Sequence, residues 1–173
     1  MAFPLAPMDG IIRTLTCLVF PLPLVFLALA LRPSCPPLGW LGWAVFGFLI
    51  LIWLSVWLFW RPTEFRLSPE GLRLVWPVRQ RAIPAAALAG AELLTCQEFR
   101  ARYGRGMRVG AGGLWGGFGL LVTPRQTFSM YISRLDPLVV VQVRGGRPLL
   151  LTPESPGRFV EEINRLRVDK AAA

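Results

Sequence analysis

Histidine is absent from the 173-residue chain, lysine occurs once, at position 170, and cysteine occurs three times. Without histidine neither a Ser-His-Asp or Cys-His arrangement nor a histidine-based metal site can be assembled. A serine–lysine pair would have to recruit Lys170, close to the end of the sequence, where a base is hard to position. Cys17, Cys35 and Cys96 show no CxxC spacing, which removes the usual structural-zinc pattern and suggests no disulfide. The carboxylates are scattered. Glu92 and Glu98 are the pair with some prospect of converging, and the adjacent Glu161 and Glu162 read as the solvated face of a helix. The chain is therefore expected not to be an enzyme and to carry no catalytic residue, cofactor or metal.

Charge is also missing from two long stretches. Residues 38–60, LGWLGWAVFGFLILIWLSVWLFW, contain no charged side chain. As a helix they would span roughly 35 Å against about 30 Å of hydrocarbon. Trp40 and Trp43 near one end, with Trp57, Trp60 and Arg61 at the other, stand where interfacial anchors belong. The earlier run 14–31, TLTCLVFPLPLVFLALAL, is long enough to cross but contains Pro21 and Pro23, so a kink is expected there. Two rival readings weigh on this run. Ala28-Leu29-Ala30 has the form of a signal-peptidase site, and a lipoprotein site before Cys35 is opposed by Arg32 and Pro33. The link RPSCPP, 32–37, is short enough to make the spans a tight antiparallel hairpin. Arg13, Arg61, Arg66 and Arg73 flank its outer ends while the link carries only Arg32, so an inner-membrane protein with both termini cytoplasmic is expected. Neither span holds an ionisable residue to line a transport path.

The organisation expected is a cytoplasmic segment 1–13, a transmembrane hairpin 14–60, a folded domain 61–167 and a flexible tail 168–173. Setting aside Arg13, Arg32 and Asp9 leaves 17 basic against nine acidic residues in 61–173, a formal +8. Beside a bilayer such charge is attracted to anionic headgroups, and nucleic acid is the less favoured alternative. Period-two alternation marks strands at Phe65–Leu67, at Leu72–Leu74–Trp76 and at Phe128–Met130–Ile132. Turns are marked by Ser68-Pro69-Glu70-Gly71 and by Gly145-Gly146, each closing a hairpin. Ser155 and Pro156 open a final helix with Phe159, Val160, Ile163 and Leu166 on one face. Six or seven antiparallel strands closed by one helix are expected.

The order of these patterns resembles the bacterial pleckstrin-homology-like domains. It runs from FRLSPEGLRLVWP through GAGGLWGGFGLLVTPRQTFSMYIS to LVVVQVR, a GG turn, TPESP and FVEEI. The resemblance covers about residues 61–167. It implies a bent seven-stranded sheet or barrel capped by a C-terminal helix, with no shared catalytic activity. Eukaryotic domains of that kind hold inositol phosphates with basic residues around a long loop between their first two strands. Only SPEG stands at the corresponding turn, so no site residue is carried over.

Eight of the seventeen glycines fall between Gly104 and Gly119. A Walker loop would need a lysine, and neither GRGMRVG nor GAGGLWG has dinucleotide spacing between a strand and a helix. The segment reads as a strand-to-strand loop or bulged turn. Arg100, Arg102, Arg105 and Arg108 run up to it, and Trp115 and Phe118 lie within it, a combination suited to contact with a membrane or a partner. The expected function is that of a membrane-anchored binding or scaffolding module that contacts protein partners or anionic lipid. The alternative is a non-catalytic accessory subunit of a membrane transport or enzyme complex.

Overall fold

A computed structural model of the chain describes residues 1–32 and 36–171, apart from the side chains of 36–38 and 169–171. Cys35 and the middle of the RPSCPP link lie outside the described residues. Helix α1 (Gly10–Val19) starts where the Asp9 carboxylate accepts the Ile12 N–H at 2.8 Å. It stops where Pro21 has no N–H to continue the ladder, and α2 (Leu22–Ala30) follows at once. Helix α3 (Pro36–Ser55) runs on into a wider π turn, Val56–Trp60. Segments Gly10–Ala30 and Gly39–Trp60 are each long and apolar enough to cross a membrane. Trp40, Phe48 and Leu51 are 68%, 61% and 64% exposed, an arrangement that a helix at the centre of a water-soluble core does not have. The hairpin closes tightly because position 42 has no side chain: a Cβ there would lie 2.8 Å from the Ala30 backbone.

A mainly β region follows, built as two sheets and capped by a C-terminal helix. One sheet has the order β1 (Ala2–Pro4), β2 (Glu64–Ser68), β3 (Gly71–Val75), β4 (Gln80–Pro84), all antiparallel. The other contains β5 (Leu88–Leu94), β6 (Met107–Gly112), β7 (Gly117–Val122), β8 (Thr127–Ile132), β9 (Leu138–Val143) and β10 (Leu149–Leu151). Its spatial order is β5-β9-β10-β8-β7-β6, and its β10–β8 pair is parallel.

Two of these strands explain their own composition. Val139 and Val141 enter the core between the sheets, whereas Leu138 and Val140 enter a second core on the opposite face. Leu149 and Leu151 divide from Leu150 in the same way. A strand covered on both sides needs an unbroken apolar run, hence LVVV and LLL.

Helix α5 (Pro156–Ala171) buries Phe159 and Ile163 completely in the first core. Asn164 fastens it to β5, accepting the Ala91 N–H at 2.9 Å and donating to the Ala91 carbonyl at 2.9 Å. The hairpins at Ser68–Gly71 and Gly145–Gly146 form as their turn residues require.

The structure departs from the sequence reading in four respects. Nine strands, not six or seven, fall within 61–167, and they divide between two sheets with one parallel pair. Residues 1–13, expected as an N-terminal cytoplasmic segment with no strand assigned, supply β1, which pairs Phe3 with Phe65 and Pro4 with Glu64. An additional helix, α4 (Cys96–Tyr103), lies between β5 and β6. Finally, α5 continues through Ala171 and takes in most of the expected tail.

Candidate functional site

Helix α4 forms because Thr95 and Glu98 cap each other. The Thr95 hydroxyl accepts the Glu98 N–H at 3.2 Å, and the Glu98 carboxylate accepts the Thr95 N–H at 2.7 Å. Phe99 and Tyr103, four residues apart and so on one helix face, pack onto Phe128 at ring distances of 5.3 and 4.9 Å. Eight residues of helix cannot cover a six-stranded sheet. Beyond α4 a cavity of about 360 Å³ is left over the second core. Its floor is Leu121, Met130, Ile132, Leu138 and Leu150, all buried, with Cys96 and Leu135 in the wall.

Three of the four arginines singled out in the sequence stand around this cavity. Arg100 comes from α4, Arg105 from the segment after it and Arg108 from β6. All three are exposed, and among the described residues none forms an ion pair. Arg102 is not one of them. Two residues beyond Arg100 on the helix, it turns away and pairs with Glu92 of β5, which also accepts the Tyr103 hydroxyl at 3.3 Å. Its hydrogen bond to Glu92 holds the guanidinium above the ordinary arginine range. Glu92 and Glu98 therefore do not form a site together: one is taken by Arg102, the other by the Thr95 cap.

The aromatic pair of the glycine segment separates as well. Phe118 is completely buried in the core between the sheets, because the register of β7 sets it opposite Ala111 and Tyr131 on the inward face. It cannot reach a bilayer or a partner. Trp115 instead lies against the hairpin, 6.4 Å from the Trp53 ring and 5.2 Å from the Trp57 ring. Its backbone N–H is donated to the Thr16 hydroxyl at 3.1 Å, and that hydroxyl lies 3.2 Å from the Gly113 carbonyl. Arg61 stacks on the Trp57 ring at 4.7 Å, where burial lowers its pKa. The glycine segment is thus two strands, β6 and β7, joined by a short turn seated against the two apolar helices.

The cavity and this junction share β6. Arg108 is four residues along β6 from Gly112, a distance of about 13 Å at strand rise. Leu135 of the cavity wall donates its N–H to one Asp9 oxygen at 2.8 Å, while the other oxygen caps α1. One carboxylate therefore joins the cavity wall to the entrance of the first apolar helix.

Sequence reasoning missed Asp9, Thr16, Cys96 and Leu135 as members of this region. The Thr95–Glu98 spacing was the available signal for α4. The cap has a pH signature. The Thr95 backbone hydrogen bond, reinforced by the Thr95 hydroxyl, holds Glu98 below its ordinary carboxylate value. A depressed folded-state value means that the stabilisation is complete above the ordinary pKa of about 4.3 and is lost as pH falls through the folded value. Glu98→Ala is expected to unfold at a lower temperature than wild type at neutral pH, with the difference closing in acid. A difference that persists unchanged in acid would remove the cap from the account. Comparison with family models, with curated proteins and with solved structures found no match to this chain.

Proposed function

We propose that this chain is a two-span inner-membrane protein that holds a bacterial pleckstrin-homology-like module against the cytoplasmic leaflet, where its arginines bind anionic lipid headgroups. One observation carries the reading: among the described residues Arg100, Arg105 and Arg108 line one cavity without forming an ion pair, on the sheet whose β6–β7 turn is seated on the apolar hairpin. Three like charges brought together repel one another, and an anionic surface relieves that repulsion. The pairing of β1 with β2 supports an even number of crossings, because it requires the residues before and after the hairpin to lie on one side. The excess of Arg13, Arg61, Arg66 and Arg73 at that end supports its cytoplasmic placement. The β build capped by α5 supports the domain resemblance, although the added strands and α4 go beyond what the resemblance implies. Binding, not bond chemistry, is the proposed activity.

The test uses the full chain in nanodiscs of phosphatidylcholine, with and without phosphatidylglycerol. Amide hydrogen exchange in residues 100–112 should slow in the anionic discs and recover in high salt. Identical exchange in both discs at low salt would defeat the reading.

A further inference from the structure

The Arg-rimmed cavity has a feature that headgroup contact at a surface leaves unused, namely its apolar floor. Resting on the membrane-tethered reading, we propose that it binds a single-chain anionic amphiphile drawn from the adjacent leaflet. The tail would lie beside α4 on the floor of Leu121, Met130, Ile132, Leu138 and Leu150, and the acidic head would meet Arg100, Arg105 and Arg108.

The volume of about 360 Å³ falls in the range of small-ligand sites. It equals about a dozen water volumes of about 30 Å³ each, room for one alkyl chain and not two. Water against the floor gains little, since Leu121, Met130, Ile132, Leu138 and Leu150 offer it no strong side-chain hydrogen bond. Apolar surface of this kind is stabilised by a hydrocarbon.

The charge at the mouth selects the head. Among the described residues no aspartate or glutamate lines the cavity, and three guanidinium groups do. Arginine gives a planar fork of donors suited to carboxylate or phosphate. Inorganic phosphate would satisfy the rim and leave the floor empty, whereas a cationic or neutral amphiphile would fill the floor and leave the rim repelled. An anionic amphiphile satisfies both. Supply is short-range, because Leu135 of the wall is tied through Asp9 to the start of α1.

Cys96 in the wall is half-exposed and free, which makes it a reporter. The full chain carrying Cys17→Ser and Cys35→Ser is placed in neutral phosphatidylcholine nanodiscs, and alkylation of Cys96 by a water-soluble maleimide is timed. At about nine times its Kd, dodecyl phosphate is expected to slow alkylation by about tenfold, because only about one tenth of the cavities are then empty. Inorganic phosphate and dodecyltrimethylammonium should leave the rate unchanged. Arg105→Gln or Arg108→Gln, each at an exposed position, should raise the half-protecting concentration of dodecyl phosphate by about tenfold through loss of a charge-assisted hydrogen bond. Equal protection by the cationic amphiphile, protection by phosphate alone, or no protection at all would overturn the proposal. Where phosphatidylglycerol slows exchange in 100–112 but dodecyl phosphate leaves Cys96 unprotected, surface binding stands and the cavity proposal falls. Where neither effect appears, both fall.

Discussion

Deleting residues 2–8 is expected to collapse the β region even though the deletion leaves both apolar helices and everything after them intact. Phe3 is buried, lies opposite Phe65 in the β1–β2 ladder and meets the Phe159 ring edge-on at 5.1 Å. Past β1 the chain stays pinned. The Leu5 N–H is donated to the Thr63 carbonyl at 3.1 Å, and the Ala6 N–H to the Thr152 carbonyl at 2.9 Å. The Ser133 hydroxyl in turn donates to the Ala6 carbonyl at 2.5 Å in a buried setting. Truncating a buried Phe to Ala costs about 3 kcal/mol or more. Phe3→Ala alone should therefore lower Tm by about 6–12 °C in a chain of this size. The deletion adds the lost ladder and leaves Phe65 and Phe159, both fully buried in the intact chain, facing solvent. Thermal unfolding of the detergent-solubilised chain, followed by intrinsic fluorescence and by protease resistance of the β region, measures both variants. A deletion variant that melts with wild type would mean that β1 is an ornament of the sheet. The same contacts predict that residues 61–173 expressed alone will not make a well-packed domain.

The second large effect is expected at Gly116. Its φ is +152°, outside the comfortable range of L side chains, and a Cβ there would stand 2.1 Å from the Ile132 carbonyl oxygen. Nothing flexible can give way, because that oxygen is backbone at the end of β8, held by the pairing of Ile132 with Gly117. Gly116→Val should cost about 3 kcal/mol or more from strain and overpacking combined. It should also shift Trp115, the neighbouring residue, off Trp53 and Trp57, visible as a red shift of tryptophan emission. Gly112→Val is the matched control. It sits in the same glycine-rich stretch with open space around it and an unstrained φ, and should change stability by less than about 0.5 kcal/mol. Equal effects at the two positions would refute the view that backbone approach at Gly116 seats the turn on the hairpin.

How far the sequence reaches is clearest from contrasting residues. The run 38–60 declared its helix by absence of charge, and Phe128, Met130 and Ile132 declared a strand by alternation; all three of these side chains are buried. Phe159 and Ile163 marked the inward face of α5 in the same local way. β1 left no such mark. It is the tripeptide Ala-Phe-Pro, and its partner lies on the far side of two helices in the sequence. Local periodicity cannot report a pairing set by distant closure. Helix α4 was hidden for another reason: CQEFRARY has only Phe99 and Tyr103 to bury, too few for an apolar stripe, and its capping box was the remaining clue.

The candidate site was half legible. The basic run 100–108 stood out, but the helix phase turns Arg102 away from Arg100, and that phase was unknown until the helix was. Phe118 looked like a membrane-facing ring because its neighbours are glycines; only the register of β7 against β8 shows it pointing inward. The cavity itself has no sequence signature. It is what remains when a helix of two turns covers a sheet that is wider than it is.

The β1–β2 ladder also imposes an order on biogenesis. Phe3 leaves the ribosome before either apolar helix, and Phe65 leaves after both. On the two-span reading the first strand must wait, unpaired, while the hairpin threads into the bilayer. Were only one helix to cross, the two halves of this ladder would end on opposite faces of the membrane, the sheet would stay open, and the misthreaded chain would be exposed to proteolysis. On that reading, completion of the sheet doubles as proofreading of membrane topology.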